Sequence, residues 1–548
     1  MEKEGHHMAD ETPDTQAGNG LSRRELVTKA GAVGAGAIAA GALAGGATAA
    51  SKRRLATPTP RRGGTFTFGL ESDPVAVAPF GMAPGAAHWG KEHTYDSLAE
   101  FDRGLNIKPA LATSWKVDKK GVTFTLRRGV RFHNGKELTA ADVVYSVTNM
   151  KNPPPPGSLT VAANVPATIT GARALSKYQV RLDLSAPDAR VPGFFAWQRY
   201  GPIVPEGLYD QINVARQAIG TGPYRLANFT PLDRVELVRN ERFWKPGQPY
   251  MNGITMKVMT DEQARVAALR AGAIDGATLS VDVARSLRGV GNLQVLSGLN
   301  AAFRELQMTL KPGRNEPWAD KRVRQAVNFA INRQQIIQNV YSGEAAYTSY
   351  VPPGYGPWPL SEADLKRKYA KFDLPAAKKL MADAGASRGF SVDMTIVNLQ
   401  DYPSVAALLV QQMKQINIDL NVKGTEIGTF ASIYNAGSYD WFLNGRGMRG
   451  DVDGYVQEFH PASATFKAQT PAYRNLKAWR AIGNGRIQLN DAKRRPMYRD
   501  AQEALWDDPI QMPLVAIRKY QVFNRRVRNM YVAFSDFNTG FREAWLAS

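Results

Sequence analysis

The strongest constraint on the fold of this chain is the order of short elements between residues 95 and 147. Residues 122–126 (VTFTL) alternate apolar and polar side chains, which is the period of a half-buried strand. Residues 130–135 (VRFHNG) predict a second short strand closed by a turn, because Asn and Gly tolerate the backbone angles of tight turns. Thr139 followed by Asp142 is typical of a helix start, where the two residues cap each other's backbone. The spacing predicts a small α/β scaffold and contains no catalytic pattern.

The same segment closely resembles the signature of the family 5 solute-binding proteins of ABC importers, the oligopeptide-, dipeptide- and nickel-binding group. Members of that family carry Pro-x-Leu-Ala-x-x-Trp, then Leu-Arg-x-Gly-Val-x-Phe-His-x-Gly, then an Asp-Val pair at a helix start. Asn332 stands where the family has Asp. The matching stretches of this sequence are residues 109–115 (PALATSW), 126–135 (LRRGVRFHNG), 142–143 (DV), 220–224 (GTGPY), 269–275 (LRAGAID) and 323–333 (VRQAVNFAINR).

The resemblance implies an α/β chain with the two-lobed periplasmic-binding-protein fold, of type II and of the enlarged cluster C kind, with an extra subdomain inserted in the first lobe. We expect the chain to cross a hinge near residues 301–303. The alternating residues 392–396 and 418–422 flank a helical pattern over 405–416, which predicts the strand–helix–strand unit of a parallel sheet. The expected lobe boundaries are 63–300 for the first lobe, about 99–195 for the inserted subdomain, 301–512 for the second lobe and 513–548 for the return to the first lobe.

The N-terminal residues predict export. Residues 1–21 are polar, and we expect them to be disordered. Residues 22–50 resemble a twin-arginine signal peptide, since paired arginines precede a charge-free, Ala- and Gly-rich run, and we expect cleavage after Ala49. An uncleaved membrane anchor is the alternative, which the many glycines of this run disfavour. Residues 51–62 are basic and Pro-rich, as in a linker. We therefore expect the protein in the periplasm or on the extracellular face of a bacterial envelope.

Composition excludes several classes of function. The chain has no cysteine, which rules out disulfides, thiolate metal sites, a cysteine nucleophile and a lipid-modified cysteine. The net charge of +20 would suit nucleic acid, but the basic residues are scattered and no zinc-finger or RNA-recognition spacing is present. We therefore expect no nucleic-acid partner. No phosphate-binding loop, metalloprotease helix or serine-hydrolase elbow occurs either.

Residues 439–455 (YDWFLNGRGMRGDVDGY) are where the sequence predicts ligand contacts. In peptide-binding relatives a similar strand leads to an Asp that holds the amino group of the peptide. Aligning residues 450–453 (GDVD) with the family's Gly-Asp-Pro-Asp puts Met448 or Arg449 near that position. Gly445 stands where an aromatic residue is usual. The resemblance therefore implies a departure from the ordinary peptide site.

Two cations, Arg446 and Arg449, lie in the same stretch. A guanidinium suits a carboxylate or phosphate better than an ammonium group, so the pattern favours an acidic, sugar-linked or modified ligand. The alternative is that both arginines are solvated or pair with Asp451 and Asp453. The predicted ligand-binding residues are Trp89, Trp441, Asn444, Arg446, Arg449, Asp451 and Asp453.

Three weaker patterns can each be explained without a functional role. Trp89 follows the first strand in a loop that approaches the ligand cleft in the family, or it packs as a rim aromatic on its own lobe. His88 and His93 would suit a metal chelate, but two neighbouring histidines do not make a site. Residues 445–450 spell a dinucleotide fingerprint without the first strand–helix–strand unit that it requires, and we reject it.

The sequence predicts the substrate-binding component of an ABC importer, which captures a peptide or peptide-like solute between its lobes and delivers it to the membrane permease. We expect a monomer without a cofactor and without enzymatic activity. One alternative is a non-peptide ligand: an oligosaccharide, an opine-like conjugate or a metal chelate. Another is an exported hydrolase, for which only Asp451 and Asp453 offer a carboxylate pair.

Overall fold

The computed structural model describes residues 59–74, 77–81, 88–154, 161–399, 401–532 and 539–547. The predicted N-terminal extension, the signal peptide and most of the linker lie outside these residues. Among the described residues, no helix combines the length and the apolar composition that a bilayer span requires.

The strands of the described chain are β1 (Thr65–Leu70), β2 (Ala99–Phe101), β3 (Ile107–Pro109), β4 (Ala112–Asp118), β5 (Gly121–Leu126), β6 (Ile169–Ser176), β7 (Gln179–Leu184), β8 (Tyr224–Thr230), β9 (Arg234–Arg239), β10 (Gly253–Val258), β11 (Gly276–Leu279), β12 (Leu293–Met308), β13 (Ala346–Tyr347), β14 (Phe390–Val397), β15 (Ile418–Thr425), β16 (Trp441–Arg446), β17 (Gln511–Asn524), β18 (Val527–Arg528) and β19 (Trp545–Leu546).

The helices are α1 (His88–Thr94), α2 (Ala140–Lys151), α3 (Val191–Phe194), α4 (Leu208–Gln211), α5 (Glu262–Arg270), α6 (Val281–Ser286), α7 (Lys321–Ala330), α8 (Arg333–Tyr341), α9 (Glu362–Asp364), α10 (Leu374–Asp383), α11 (Tyr402–Lys414), α12 (Ile427–Ala436), α13 (Asp453–Val456), α14 (Ala464–Gln469), α15 (Leu476–Ile487) and α16 (Asp491–Asp507). Short 3₁₀ turns lie at Val161–Asn164, Pro317–Ala319, Gln457–Phe459 and Thr539–Arg542, and a π-helical turn at Leu365–Tyr369.

One large sheet runs through the molecule, with the strand order β15-β14-β16-β12-β17-β11-β1-β10-β9-β8 and β13 added beside β17. Its first-lobe end carries β1 and β8–β11, and its second-lobe end carries β14–β16. β12 and β17 lie between these two groups of strands and pair antiparallel with each other. Their register shifts between Leu299 and Phe303. That irregularity lies at the predicted hinge, and the predicted boundaries near 300 and 513 fall inside these two strands. The boundaries themselves stay predictions.

A second, four-stranded sheet has the order β4-β5-β7-β6. With α2 and α3 it encloses its own apolar core, which includes Val122, Phe124, Val143 and Phe194; we call it the four-stranded unit. The predicted strand over 122–126 is confirmed as β5. The predicted strand over 130–132 is reduced to an isolated antiparallel bridge of Arg131 with Glu137, and the predicted turn follows it, with Gly135 N donating to Phe132 O at 2.8 Å.

The predicted start of α2 is confirmed. The helix begins at Ala140, and Asp142 Oδ2 accepts a hydrogen bond of 2.8 Å from the Thr139 backbone N–H. The predicted unit of strand, helix and strand over residues 392–422 is likewise confirmed, as β14, α11 and β15, with β14 and β15 parallel. These elements depend on local spacing, which explains why the sequence located them.

Two of the motifs in the sequence hold each other in place. His133 donates its backbone N–H to Gly220 O at 2.8 Å, and its Nδ1 accepts from Gly220 N at 3.3 Å. Since Nδ1 is an acceptor, Nε2 carries the proton and donates to Gly222 O at 3.0 Å. The histidine of residues 126–135 thereby fixes the turn of residues 220–224.

The glycines of that turn are required by a close approach of backbones. A Cβ at Gly220 would lie 2.1 Å from Thr94 O, at the end of α1. Backbone atoms cannot move aside as the end of a flexible side chain can. This contact explains the Gly-Thr-Gly sequence without reference to function.

Replacing Gly220 with Ala is expected to destabilise the protein by about 1–3 kcal/mol, the usual cost of overpacking. Urea unfolding of the purified mature chain measures this loss. Gly291→Ala is the matched control, because a Cβ at Gly291 meets no atom within 4 Å. Equal midpoints for the two variants would contradict the close approach.

The stability of the protein is expected to decrease as the pH is lowered, because of His133. Burial lowers the pKa of this imidazole to about 4, although the bond to the Gly222 carbonyl and the charge of Asp96 oppose the shift. The folded state therefore favours the neutral ring, so this contribution is complete above the unfolded pKa of about 6.5 and is lost as the pH falls toward 4. The expected loss between pH 7 and pH 5 is about 1–2 kcal/mol.

The measurement is the free energy of unfolding of wild type and His133→Gln at several pH values. The variant should be less stable at pH 7 and should show a shallower pH dependence. His93 and His460, whose pKa values burial also lowers, are present in both proteins, so the difference between the two slopes reports on His133. Parallel curves would show that His133 does not titrate as stated.

Candidate functional site

The topology of the large sheet places a crevice between β14 and β16. These neighbours are parallel, with Met394 opposite Trp441. The chain leaves β14 through α11 toward β15 on one side, and leaves β16 toward β17 on the other side. Ligands of open α/β sheets bind outside the carboxyl ends of strands at such a switch point. The described residues that follow β14 and β16, namely 398–399 with 401 and 447–452, therefore border the candidate site.

The four-stranded unit meets the second lobe at this crevice. A Cβ at Gly193 would lie 2.2 Å from Gly450 O, so the two backbones touch where neither residue has a side chain. Met448 is buried within the core of the four-stranded unit. A half-open cavity of about 50 Å³ lies at the junction, lined by Asn164, Pro166, Arg190, Phe194, Tyr200, Arg449, Gly450, Asp451, Gly454 and Gln457. That volume is far below the 300–1,000 Å³ of ordinary ligand sites.

Asp453 joins the four-stranded unit to the second lobe. The carboxylate is fully buried and accepts from Arg190 Nη1 at 3.3 Å, Arg486 Nη2 at 3.1 Å and Tyr498 Oη at 3.0 Å. Arg190 is held in turn by Asp188, with 2.8 Å between Nε and Oδ1. A buried carboxylate with three donors is satisfied by the protein itself.

Asp451 is occupied in the same way. Arg494 donates to it with both terminal nitrogens, at 2.8 and 3.2 Å. Burial raises the pKa of Asp451, and the Arg494 guanidinium opposes that rise. Neither carboxylate pairs with Arg446 or Arg449. The alternative in which these two arginines pair with Asp451 and Asp453 is therefore wrong.

Arg446 lies in a buried polar network beneath β16. Its side chain is 3% exposed, and Nη2 donates to Glu305 Oε1 at 2.8 Å and to Gln511 Oε1 at 2.9 Å. Glu458 forms a second ion pair with the same nitrogen. Asn444 reaches Glu305 Oε1 with Nδ2 at 3.4 Å. Ligand contact by these two predicted residues stays a prediction, and in this conformation their polar atoms are used inside the lobe.

Arg449 differs from every other arginine of the site. It is half-buried, and its Nη1 donates only to the Met448 carbonyl, at 3.3 Å. No carboxylate of the described chain lies within ion-pair distance of its guanidinium. Burial lowers the pKa of the Arg449 guanidinium, but Tyr200 of the four-stranded unit and Tyr455 help to raise it above its usual value. Of the cations that line the junction cavity, Arg449 is the one without an anionic partner in the described structure.

Both predicted tryptophans lie in the cores of their lobes. Trp89 is 3% exposed and packs on Phe68, with 4.4 Å between ring centroids. Trp441 is fully buried beside Trp318 and Phe390, at 6.0 and 6.3 Å. Contact of either ring with a ligand stays a prediction.

The histidine pair offers no metal site in the described chain. His93 is fully buried and stacks on Phe541 at 5.4 Å, and the side chain of His88 lies outside the described residues. Among the described residues, no three His, Asp or Glu side chains are placed to hold a metal ion.

The partners of the acidic residues were not predicted from the sequence. Arg190, Arg486 and Arg494 complete the site, and they come from parts of the chain that no local motif connects with residues 451–453. Arg304 and Asp401 at the switch point, which form an ion pair with 3.0 Å between Nε and Oδ2, were not predicted either. The helical pattern of α11 was a signal for the position of Asp401, but nothing in the sequence indicated Arg304.

Comparison with known proteins supports the architecture. The glutathione-binding protein GsiB of Pectobacterium atrosepticum is 24% identical over 486 residues, which cover 86% of this chain and 90% of that protein. The periplasmic binding protein DppA of Helicobacter pylori, solved with the peptide STSA, has a TM-score of 0.76 at 22% identity and covers 89% of this chain and 99% of its own. The binding protein AgaA of A. tumefaciens R10, solved with agropinic acid, has a TM-score of 0.75 at 22% identity, with 88% and 99% covered.

These structural likenesses confirm the predicted fold class, a two-lobed α/β periplasmic-binding-protein fold. Residues 106–465 match the family model described as bacterial extracellular solute-binding proteins, family 5 Middle, which is more than half of the 548-residue chain. This chain therefore belongs to family 5 of the bacterial extracellular solute-binding proteins.

Proposed function

We propose that the protein is exported and serves as the substrate-binding component of an ABC importer, capturing a peptide or peptide-like solute with a free carboxylate and passing it to the membrane permease. It acts as a monomer and neither makes nor breaks a bond. The observation that carries the choice of solute is the half-buried Arg449, which faces the junction cavity without an anionic partner in the described structure.

The chemistry of the cleft favours the acidic end of a ligand over its amino end. An ammonium group needs a carboxylate with unused lone pairs, and Asp451 and Asp453 are already engaged by three arginines and a tyrosine. A guanidinium removed from water gains most from a planar anion that accepts two hydrogen bonds. Arg449 is therefore the group that binds the carboxylate of the solute.

Closure of the lobes completes the site. Arg190 of the four-stranded unit donates hydrogen bonds to Asp453 and Gln457 of the second lobe, at 3.3 and 3.1 Å. Ala189 N donates to Arg486 O at 3.1 Å. These contacts exist only when the lobes meet, so they stabilise the closed form. A solute that binds more tightly to this form than to the open one shifts the population toward it, which is the signal a permease can recognise.

A non-peptide acid is the second candidate solute. The AgaA complex with agropinic acid has nearly the same coverage and TM-score as the peptide complex of DppA, and Arg449 suits any carboxylate. An exported hydrolase is less well supported, because the pairing of Asp451 and Asp453 with buried arginines leaves neither acid free as a nucleophile or base.

Replacing Arg449 with Gln is expected to weaken binding of free-acid di- and tripeptides by about 10- to 100-fold, since a hydrogen bond to a charged group contributes about 1.5–3 kcal/mol. Binding of the C-terminally amidated forms should change little. Calorimetric titration of the mature chain with both sets measures the difference, after native mass spectrometry has identified any solute that copurifies.

The matched control is Arg388→Gln, an exposed arginine in the turn between α10 and β14. It should bind both sets as wild type does. Equal losses for free-acid and amidated ligands in the Arg449 variant would contradict the assignment of the carboxylate. Tight binding of a single non-peptide acid, lost in the same variant, would select the second candidate solute.

Adding one methyl group at Gly193 is expected to hold the lobes apart. The Cβ of Gly193→Ala would lie 2.2 Å from Gly450 O, so full closure becomes unfavourable by about 1–3 kcal/mol and ligand binding weakens by about 5- to 150-fold. Small-angle scattering of the ligand-bound protein should show a larger radius of gyration. Gly171→Ala in β6, where a Cβ meets no atom within 4 Å, is the control; unchanged affinity and size for the Gly193 variant would show that closure does not use this contact.

A further inference from the structure

A notch at Gly445 lies on the crevice between β14 and β16. Gly445 of β16 stands directly opposite Arg304 of β12, and side chains of opposed residues project to the same face. A Cβ at Gly445 would lie 2.2 Å from Tyr402 Oη and 2.7 Å from Arg304 Nη1. Two polar atoms therefore converge on the position that the missing side chain leaves open.

Arg304 is held there by strong interactions on its other edge. Its Nε donates to Asp401 Oδ2 at 3.0 Å, and Nη2 donates to the second oxygen of the same carboxylate. The guanidinium carbon lies 4.1 Å from the centroid of the Tyr402 ring. Tyr341 also donates its hydroxyl to Asp401. The pair of Arg304 and Asp401 is thus a fixed support, and one edge of the guanidinium is left over.

The two remaining polar groups of the notch lack hydrogen-bond partners within the described chain. Nη1 of Arg304 and Oη of Tyr402 make no hydrogen bond within the described chain, and neither is among its fully buried polar atoms that lack a partner. Arg304 as a whole is 5% exposed. A side chain so deeply buried keeps one donor that is unpaired and not fully enclosed, which is what a binding group requires and a purely structural ion pair does not.

The surrounding backbone supports an electronegative ligand atom. Tyr402 is the first residue of α11, a helix of 13 residues, and the amino end of a helix attracts negative charge. The charge of Arg304 is already matched by Asp401. Burial alone would raise the pKa of Asp401, but the Arg304 guanidinium outweighs it and holds that pKa below its usual value, so the carboxylate is ionised. The notch therefore offers two donors and little net charge.

We propose that Arg304 Nη1 and Tyr402 Oη form a second polar subsite, which binds an uncharged oxygen acceptor of the solute such as an amide carbonyl. The subsite rests on the proposed function, in which Arg449 takes the carboxylate. This subsite, at Gly445, and Arg449 both lie near the end of β16. The chemistry they select together is an acid with an amide carbonyl nearby, as in a peptide or an acyl amino acid.

The departure at Gly445 is then a determinant of specificity. Any side chain there would displace Tyr402 Oη and Arg304 Nη1, both of which lie within 3 Å of the added Cβ. Glycine at this position lacks the packing surface of a side chain and leaves room for two hydrogen-bond donors. A ligand carbonyl gains from such donors, whereas a purely apolar side chain would leave them unpaired.

The first test compares Tyr402→Phe and Gly445→Ala with wild type, using glutathione, trialanine and an analogue of trialanine in which a methylene replaces one amide carbonyl. Tyr402→Phe removes one donor and keeps the ring over Arg304. It should bind the carbonyl-containing probes about 3- to 10-fold more weakly and the analogue unchanged. Tyr250→Phe, just before β10 of the first lobe, is the control. Wild-type affinity of both variants for a probe that wild type binds would overturn the subsite.

The second test does not depend on knowing the solute. The protein is prepared with 3-fluorotyrosine, and the fluorine resonance of residue 402, assigned by its absence in Tyr402→Phe, is followed during titration with acetamide and separately with acetate. A saturable shift with acetamide that Gly445→Ala abolishes supports the subsite. A response to acetate alone would overturn the preference for an uncharged acceptor, and no response to either would overturn the subsite itself. Failure of every peptide to bind, with the acetamide response intact, would count against the proposed function and not against the notch.

Discussion

The pairing of β12 with β17 is the constraint on which the rest of this structure depends. These two antiparallel strands extend through both lobes, so one sheet carries the strands of each. Their register breaks between Leu299 and Phe303, where a few residues lack cross-strand partners and bending is easiest. The hinge predicted near residues 301–303 lies at this point, and the loop after β16 meets the four-stranded unit where Gly193 contacts Gly450.

Arginine pairing decides which charges the closed crevice retains. Asp453 is shared between Arg190 of the four-stranded unit and Arg486 of the second lobe, and Asp451 belongs to Arg494. Removal of one partner from a buried ion pair would leave an uncompensated buried charge. The acids are therefore parts of the closed interface. Arg446 is shared by two carboxylates, Glu305 and Glu458, and Arg449 is the cation of the junction cavity without an anionic partner in the described structure.

Glycines set the distances within this interface. Gly193 and Gly450 let two backbones touch, and Gly445 lets Arg304 and Tyr402 occupy the space above β16. In each case an added Cβ would meet atoms closer than 3 Å. An added Cβ would therefore separate the backbones at Gly193 and Gly450 and displace the polar atoms at Gly445.

The sequence by itself determined the family, the unit of β14, α11 and β15, and the start of α2. Each depends on spacing between near neighbours, which a linear pattern records. Tertiary structure alone decided which arginine meets which acid, since Arg190 and Asp453 lie 263 positions apart. It also decided that Trp89 and Trp441 pack in cores, and that Arg304 stands over Gly445. An ion pair or a packed ring depends on segments brought together only by the folded sheet, and no local periodicity encodes that contact.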